Sequence, residues 1–144
     1  MTIVKTNIVV DASVAAKWFF PDEEFAKDAF RIQQDFLDKT VVLSVPTLIY
    51  YEINNILKSA VQSKRVTEKE AIEAYEGFLN LEFAVYSSKD LMKQALAKAT
   101  EYDISSYDAS YVALASYLKI PFFTADRKLL DKVGDKFIFG LESY

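Results

Sequence analysis

The strongest constraint on this chain is a short apolar run, Asn7-Ile8-Val9-Val10, that stops at Asp11 and gives way at once to helix-forming residues. The run is too short for a helix, and its β-branched residues suit a strand buried on both faces. The same succession recurs along the chain. Val41-Val42-Leu43-Ser44 is the next strand, Glu82-Phe83-Ala84-Val85 a weaker one, and Ile120-Pro121-Phe122-Phe123-Thr124 leads into a fourth. Lys136-Phe137-Ile138-Phe139 reads as a last, edge strand.

Helical segments lie between these strands. Asp11-Ala12-Ser13 opens one that reaches about residue 20, and Pro21-Asp22-Glu23-Glu24 starts a second that runs to about 38. Its acids suit a helix N-terminus. Pro46 fits the first turn of a helix extending to about 63, and Thr67-Glu68-Lys69-Glu70 has the capping-box pattern of one ending near 80. Further helices are expected from about 88 to 102, from Ser105 to about 119, and briefly from Asp126. Strands separated by helices imply parallel βαβ units, so the expected fold is α/β: a three-layer α/β/α sandwich around a mainly parallel sheet. The two helices between about 46 and 80 break the alternation and suggest a helical hairpin projecting beside the sheet. The 144 residues read as one compact domain spanning 1–144.

Composition narrows the chemistry. There is no histidine and no cysteine, which removes Ser-His-Asp and Cys-His hydrolases, thiolate or imidazole zinc sites, and disulfides. A hydrolase built from this chain therefore has to rely on carboxylates and a metal. The net charge of −4 argues against a broad basic surface for nucleic acid, so any such role must rest on a local site where a divalent cation brings positive charge. No apolar run approaches a membrane span, and no signal peptide is visible, so a cytoplasmic protein is expected.

Four acids stand out. Asp11 and Asp126 each follow a strand signal, and ligands of open parallel sheets bind outside the carboxyl ends of the strands. Each also fits an N-cap of the helix that follows. Glu52 shares or borders the apolar stripe Ile49, Ile53, Ile56, Leu57 and Ala60, where a carboxylate needs a partner or a metal. Lys58 or a distant arginine is one possible partner. Asp108 sits three residues after Ser105, as in a capping box, and on the buried side of a helix continuing through Tyr111, Val112, Ala115 and Leu118. The other acids read as solvent-facing. Trp18-Phe19-Phe20 cannot all face inward from one regular helix, so at least one is expected to meet a partner subunit or protein.

The ordered set Val9-Val10-Asp11-Ala12-Ser13, Tyr51-Glu52, Tyr107-Asp108-Ala109-Ser110-Tyr111-Val112-Ala113-Leu114-Ala115 and Phe123-Thr124-Ala125-Asp126-Arg127-Lys128-Leu129 resembles a PIN domain, especially the VapC-type toxins of toxin–antitoxin pairs. The resemblance covers essentially the whole chain. It implies four acids converging at the carboxyl edge of a parallel sheet, Mg²⁺ or Mn²⁺ as cofactor, endoribonuclease activity, an antitoxin partner in the groove beside the site, and a homodimer. Asp11 and Asp108 are then the main expected metal ligands, completed by Glu52 and Asp126 directly or through water. Oxygen ligands suit these hard ions. Ser13 and Thr124 are expected to hydrogen-bond the carboxylates, and Lys17, Arg127 and Lys128 to contact RNA phosphates. A non-catalytic PIN-like scaffold and a processing nuclease outside a toxin–antitoxin pair are the alternatives. A phospho-acceptor receiver lacks its early adjacent acids here, and an aspartyl phosphohydrolase lacks Asp-x-Asp, since Ser13 holds that third position.

Overall fold

The computed structural model describes residues 5–87 and 89–144. Five strands, β1 (Thr6–Val10), β2 (Val41–Pro46), β3 (Ala84–Tyr86), β4 (Phe122–Thr124) and β5 (Ile138–Gly140), form one sheet in the order β3-β2-β1-β4-β5. Every recorded pairing is parallel. Ile8, Val9 and Val10 are all buried in the central strand, which requires cover on both faces.

Topology assigns that cover. The helices are α1 (Ala12–Ala15), α2 (Ala26–Leu37), α3 (Leu48–Gln62), α4 (Glu68–Leu79), α5 (Lys89–Tyr102), α6 (Ser106–Leu118) and α7 (Arg127–Lys132). The chain steps outward from β1 to β2 to β3, then returns across the sheet to β4 and steps outward again to β5. With right-handed crossovers, α1–α4 fall on one face and α5–α7 on the other. The packing agrees: α1 meets α3, α3 meets α4, and α6 lies against α5 on one side and β1, β2 and β4 on the other. Sandwiched in this way, α6 buries Ala109 and the continuous run Tyr111 to Ala115. The α/β/α sandwich expected from strand–helix alternation is the observed fold.

Several boundaries differ from expectation, each for a local reason. Residues 21–24 do not start a helix. Phe25 has a left-handed backbone (φ 62°), and α2 begins only at Ala26. Glu23 instead pairs with Lys17 (3.5 Å) and Arg65 (3.6 Å), and Asp22 with Arg65 (3.4 Å). Pro46 ends β2 rather than opening α3, at a level where pairing with β1 has already stopped at Ser44. The first helix is one short turn, continued as a 3₁₀ turn from Ala16 to Trp18. The capping box of Thr67 and Glu70 forms as expected. The expected start of α5 at Ser88 lies outside the described residues.

The α3–α4 hairpin forms but does not stand free. Phe78 of α4 packs against Phe19, Tyr50, Tyr75 and Phe83, with ring centroids 5.4–6.3 Å apart. The Tyr75 hydroxyl donates to the Tyr50 carbonyl (2.6 Å), and at the hairpin's other end Arg65 lies over the Phe20 ring (4.1 Å). This cover accounts for most of Trp18-Phe19-Phe20: Trp18 and Phe20 are buried, and Phe19, partly buried, packs on the same core. The 3₁₀ turn and the hairpin laid over it supply neighbours on the side that a lone helix would expose.

Candidate active site

β1 sends its connection to one face of the sheet and β4 sends its own to the other, so a crevice opens between their carboxyl ends. Val9 is level with Phe122 and Val10 with Phe123, which brings Asp11 alongside Thr124. Asp11 is buried (5% exposed) and fully engaged. Its Oδ1 accepts the Ser13 and Val14 N–H groups (3.1 and 3.3 Å) and the Ser13 hydroxyl (2.5 Å). Its Oδ2 accepts the Thr124 hydroxyl (2.6 Å).

The same two hydroxyls tie the β1 turn to the β4 turn. Ser13 Oγ accepts the Ala125 N–H (3.0 Å), and Thr124 Oγ1 accepts the Asp126 N–H (3.1 Å). Asp126 caps α7 by accepting the Leu129 N–H (3.1 Å). Ser13 and Thr124 thus make the carboxylate contacts expected of them, and they also fix the two strand-ending acids relative to each other.

Glu52 and Asp108 come in from the two helical layers. Both are half-buried. The partner of Glu52 is neither Lys58 nor an arginine but Tyr111, whose hydroxyl donates to Glu52 Oε1 (2.5 Å). Sequence reasoning placed Tyr111 only in the apolar stripe of α6 and missed this role. The available signal was a tyrosine three residues after Asp108 on the buried face, where a hydroxyl needs an acceptor. Ser105 Oγ accepts the Asp108 N–H (3.0 Å), so Asp108 starts its helix as expected.

Electrostatics connect these acids in pairs. Burial first and the Asp108 charge last raise the Asp11 pKa to about 6, against the opposing pull of the Ser13 and Thr124 hydroxyls. Burial also raises Glu52, with Tyr111 opposing and Asp108 adding to the rise. Asp108 is raised by burial and then by the Asp126 charge, with the Ser105 hydroxyl opposing. The Asp108 charge thus acts on Asp11 and Glu52, and the Asp126 charge acts on Asp108. Tyr111 is held well above the ordinary tyrosine range by burial and by Glu52, so it stays a donor.

Residues 8–136 match the PIN domain family. The chain belongs to that family. It is 34% identical over 132 residues to ribonuclease VapC3 of Pyrobaculum aerophilum, covering 88% of this chain and 94% of the relative. The crystal structure of PAE2754, also from Pyrobaculum aerophilum, superposes with a TM-score of 0.68 at 25% identity, covering 97% of this chain and 94% of that one. VapBC2 from Rickettsia felis, bound to a promoter DNA fragment, shares the fold at 9% identity, with a TM-score of 0.65 over 94% and 98% of the two chains.

Within this PIN domain the three cations expected to face substrate differ sharply. Lys17 is buried and paired with Glu23. Arg127, at the start of α7, is paired with Glu142 (2.7 Å) and lies over the Phe25 ring (4.9 Å). Glu142 is itself seated against Gly140, where an added Cβ would stand 2.6 Å from its carboxylate oxygens. Lys128 is exposed and has no recorded partner among the described residues. Asp103, the other acid near α6, is exposed in a left-handed turn and paired with Lys132 (3.8 Å), so it takes no part in the cluster.

A divalent cation suits the donors of this site. They are oxygen-only, and three of the four are raised by burial and by a neighbouring acid, a strain that a bound dication relieves. Among the described residues, no three acids are grouped so that they could hold a metal ion as they stand.

Proposed function

We propose that this chain is a Mg²⁺- or Mn²⁺-dependent endoribonuclease that hydrolyses RNA phosphodiester bonds as the toxin of a type II toxin–antitoxin pair. The observation that carries the reading is a group of acids at the crevice between β1 and β4 of a chain without histidine: burial raises Asp11, Glu52 and Asp108, the Asp108 charge adds to the rise of Asp11 and Glu52, and the Asp126 charge adds to that of Asp108. The 34% identity to a ribonuclease VapC supports RNA as substrate.

Asp11 and Asp108 would hold the cation, and Glu52 and Asp126 would complete its surroundings directly or through water. A divalent cation there supplies Lewis-acid activation of water and stabilisation of the leaving oxygen. Ser13 and Thr124 keep both Asp11 oxygens oriented by donating to them. Lys128 follows Asp126 closely in sequence and would meet a substrate phosphate, while Arg127 beside it is held by Glu142. The partners in this reading are an RNA substrate, a cognate antitoxin and a second copy of the chain.

Cleavage of single-stranded and structured RNA with Mg²⁺ or Mn²⁺ tests the reading. Cleavage is expected to stop with chelator and in Asp11→Asn. Activity that survives either one overturns the metal mechanism. Co-purification with the product of an adjacent gene tests the antitoxin, and a solution mass of twice 16.4 kDa tests the homodimer.

A further inference from the structure

We infer that Tyr111 is a positioning residue for Glu52: its O–H holds Oε1 and thereby leaves Oε2 for the acid cluster. The consequence for catalysis rests on the nuclease reading, but the geometry stands without it.

Tyr111 and Glu52 belong to opposite layers. Tyr111 is on α6, Glu52 is on α3, and the sheet lies between those helices. Their hydrogen bond therefore joins the two layers beyond the carboxyl ends of the strands, beside the crevice that holds Asp11. Packing fixes the donor. Tyr111 is 1% exposed, and its ring stacks on Phe122 (centroids 5.9 Å, planes 19° apart). The acceptor is not fixed in the same way. Glu52 is half-buried on a long side chain, and this is its only hydrogen bond among the described residues. The rigid phenol therefore selects the Glu52 rotamer.

A plain core tyrosine would explain the contact less well. A buried phenol needs an acceptor, but a carbonyl or a side-chain amide serves without adding a charge. Here the acceptor is an ionisable group whose charged form is disfavoured by burial and, to a lesser extent, by the neighbouring Asp108. The arrangement costs stability unless the Glu52 carboxylate has a further use.

Tyr111→Phe removes the hydroxyl and keeps the ring. Its test compares it with Glu52→Gln and the double variant by Mn²⁺ titration of the RNA-free protein, RNA-cleavage kinetics and thermal melting in chelator. Loss of an outer-shell hydrogen bond predicts Mn²⁺ affinity or kcat about 10- to 100-fold lower in Tyr111→Phe. KM for RNA is expected to hold within about twofold, because only the acid's orientation changes. The double variant is expected to fall no further than Glu52→Gln alone, since the hydroxyl acts only through the Glu52 carboxylate, which that change has already removed.

Unchanged Mn²⁺ affinity and kcat in Tyr111→Phe, or effects that multiply in the double variant, would overturn the inference. A large melting loss with unchanged Mn²⁺ affinity of the folded protein would likewise assign Tyr111 to packing alone. If the wild type cleaves no RNA, the nuclease reading fails, yet the Mn²⁺ titrations still decide whether Tyr111 acts through Glu52.

Discussion

Asp11 is the most buried of the four acids, and in the absence of a cation that burial works against the fold. Its pKa is raised from 3.8 to about 6, so the native chain holds this proton more tightly than the unfolded chain does. As pH rises from about 4 to 6 the unfolded state ionises first and is favoured, and native stability falls. Above that window the loss is constant, at about 3 kcal/mol from the size of the shift. Asp11→Asn cannot ionise and escapes the loss. In chelator, its melting temperature relative to wild type is therefore expected to rise by roughly 4–8 °C between pH 4.5 and pH 8. A difference that stays flat across that range would show that Asp11 is already relieved within the protein. The residue scale also shows what could be read in advance. Asp11 and Asp126 were legible because an acid closing a strand is a local pattern, and capping does not use up the carboxylate: Oδ1 of Asp11 caps α1 while Oδ2 receives Thr124. Tyr111 was not legible as a partner of Glu52, because 59 residues separate them and only the fold brings them together.

Among the elements, those set by local chemistry were readable and those set by contacts were not. The Thr67 capping box formed because its two hydrogen bonds lie within one helical turn. Residues 21–24 carry an equally good helix start, but Lys17 and Arg65, which draw Asp22 and Glu23 away, lie elsewhere in the chain. The α3–α4 hairpin is the largest such case. Its attachment depends on Phe78, 2% exposed among four other aromatic rings. Because Phe19 and Phe83 lie outside the hairpin, losing Phe78 is a loss to the common core. Phe78→Ala is expected to cost about 3–5 kcal/mol in chemical denaturation, with a single transition and an unchanged m-value. A second, earlier transition would mean instead that the hairpin melts as a unit of its own.

For the whole molecule, alternation of strands and helices announced a parallel sheet, but not which strand would sit beside β1 on its far side. That placement of β4 creates the crevice, and it comes from a return across the sheet that no local segment encodes. The same global view bears on how a chain of net charge −4 would hold RNA. Of the three cations expected to face substrate, Lys17 is buried against Glu23 and Arg127 is held by Glu142, leaving Lys128 unpaired among the described residues. If few side chains neutralise phosphates, counterion release is small. For single-stranded RNA, log K should then fall with log[salt] at a slope near −1, given about −0.7 per phosphate neutralised. Glu142→Gln releases Arg127 to the substrate, and this should steepen the slope by roughly 0.7, whereas Lys128→Ala should flatten it by a similar amount. The Glu142 contact is exposed and cheap to break, so the change is expected in RNA binding and not in melting temperature. A slope that Glu142→Gln leaves unchanged would place Arg127 off the RNA path. A wild-type slope steeper than about −2 would mean that at least three cations engage phosphates, and would put the basic side of the interface beyond α7.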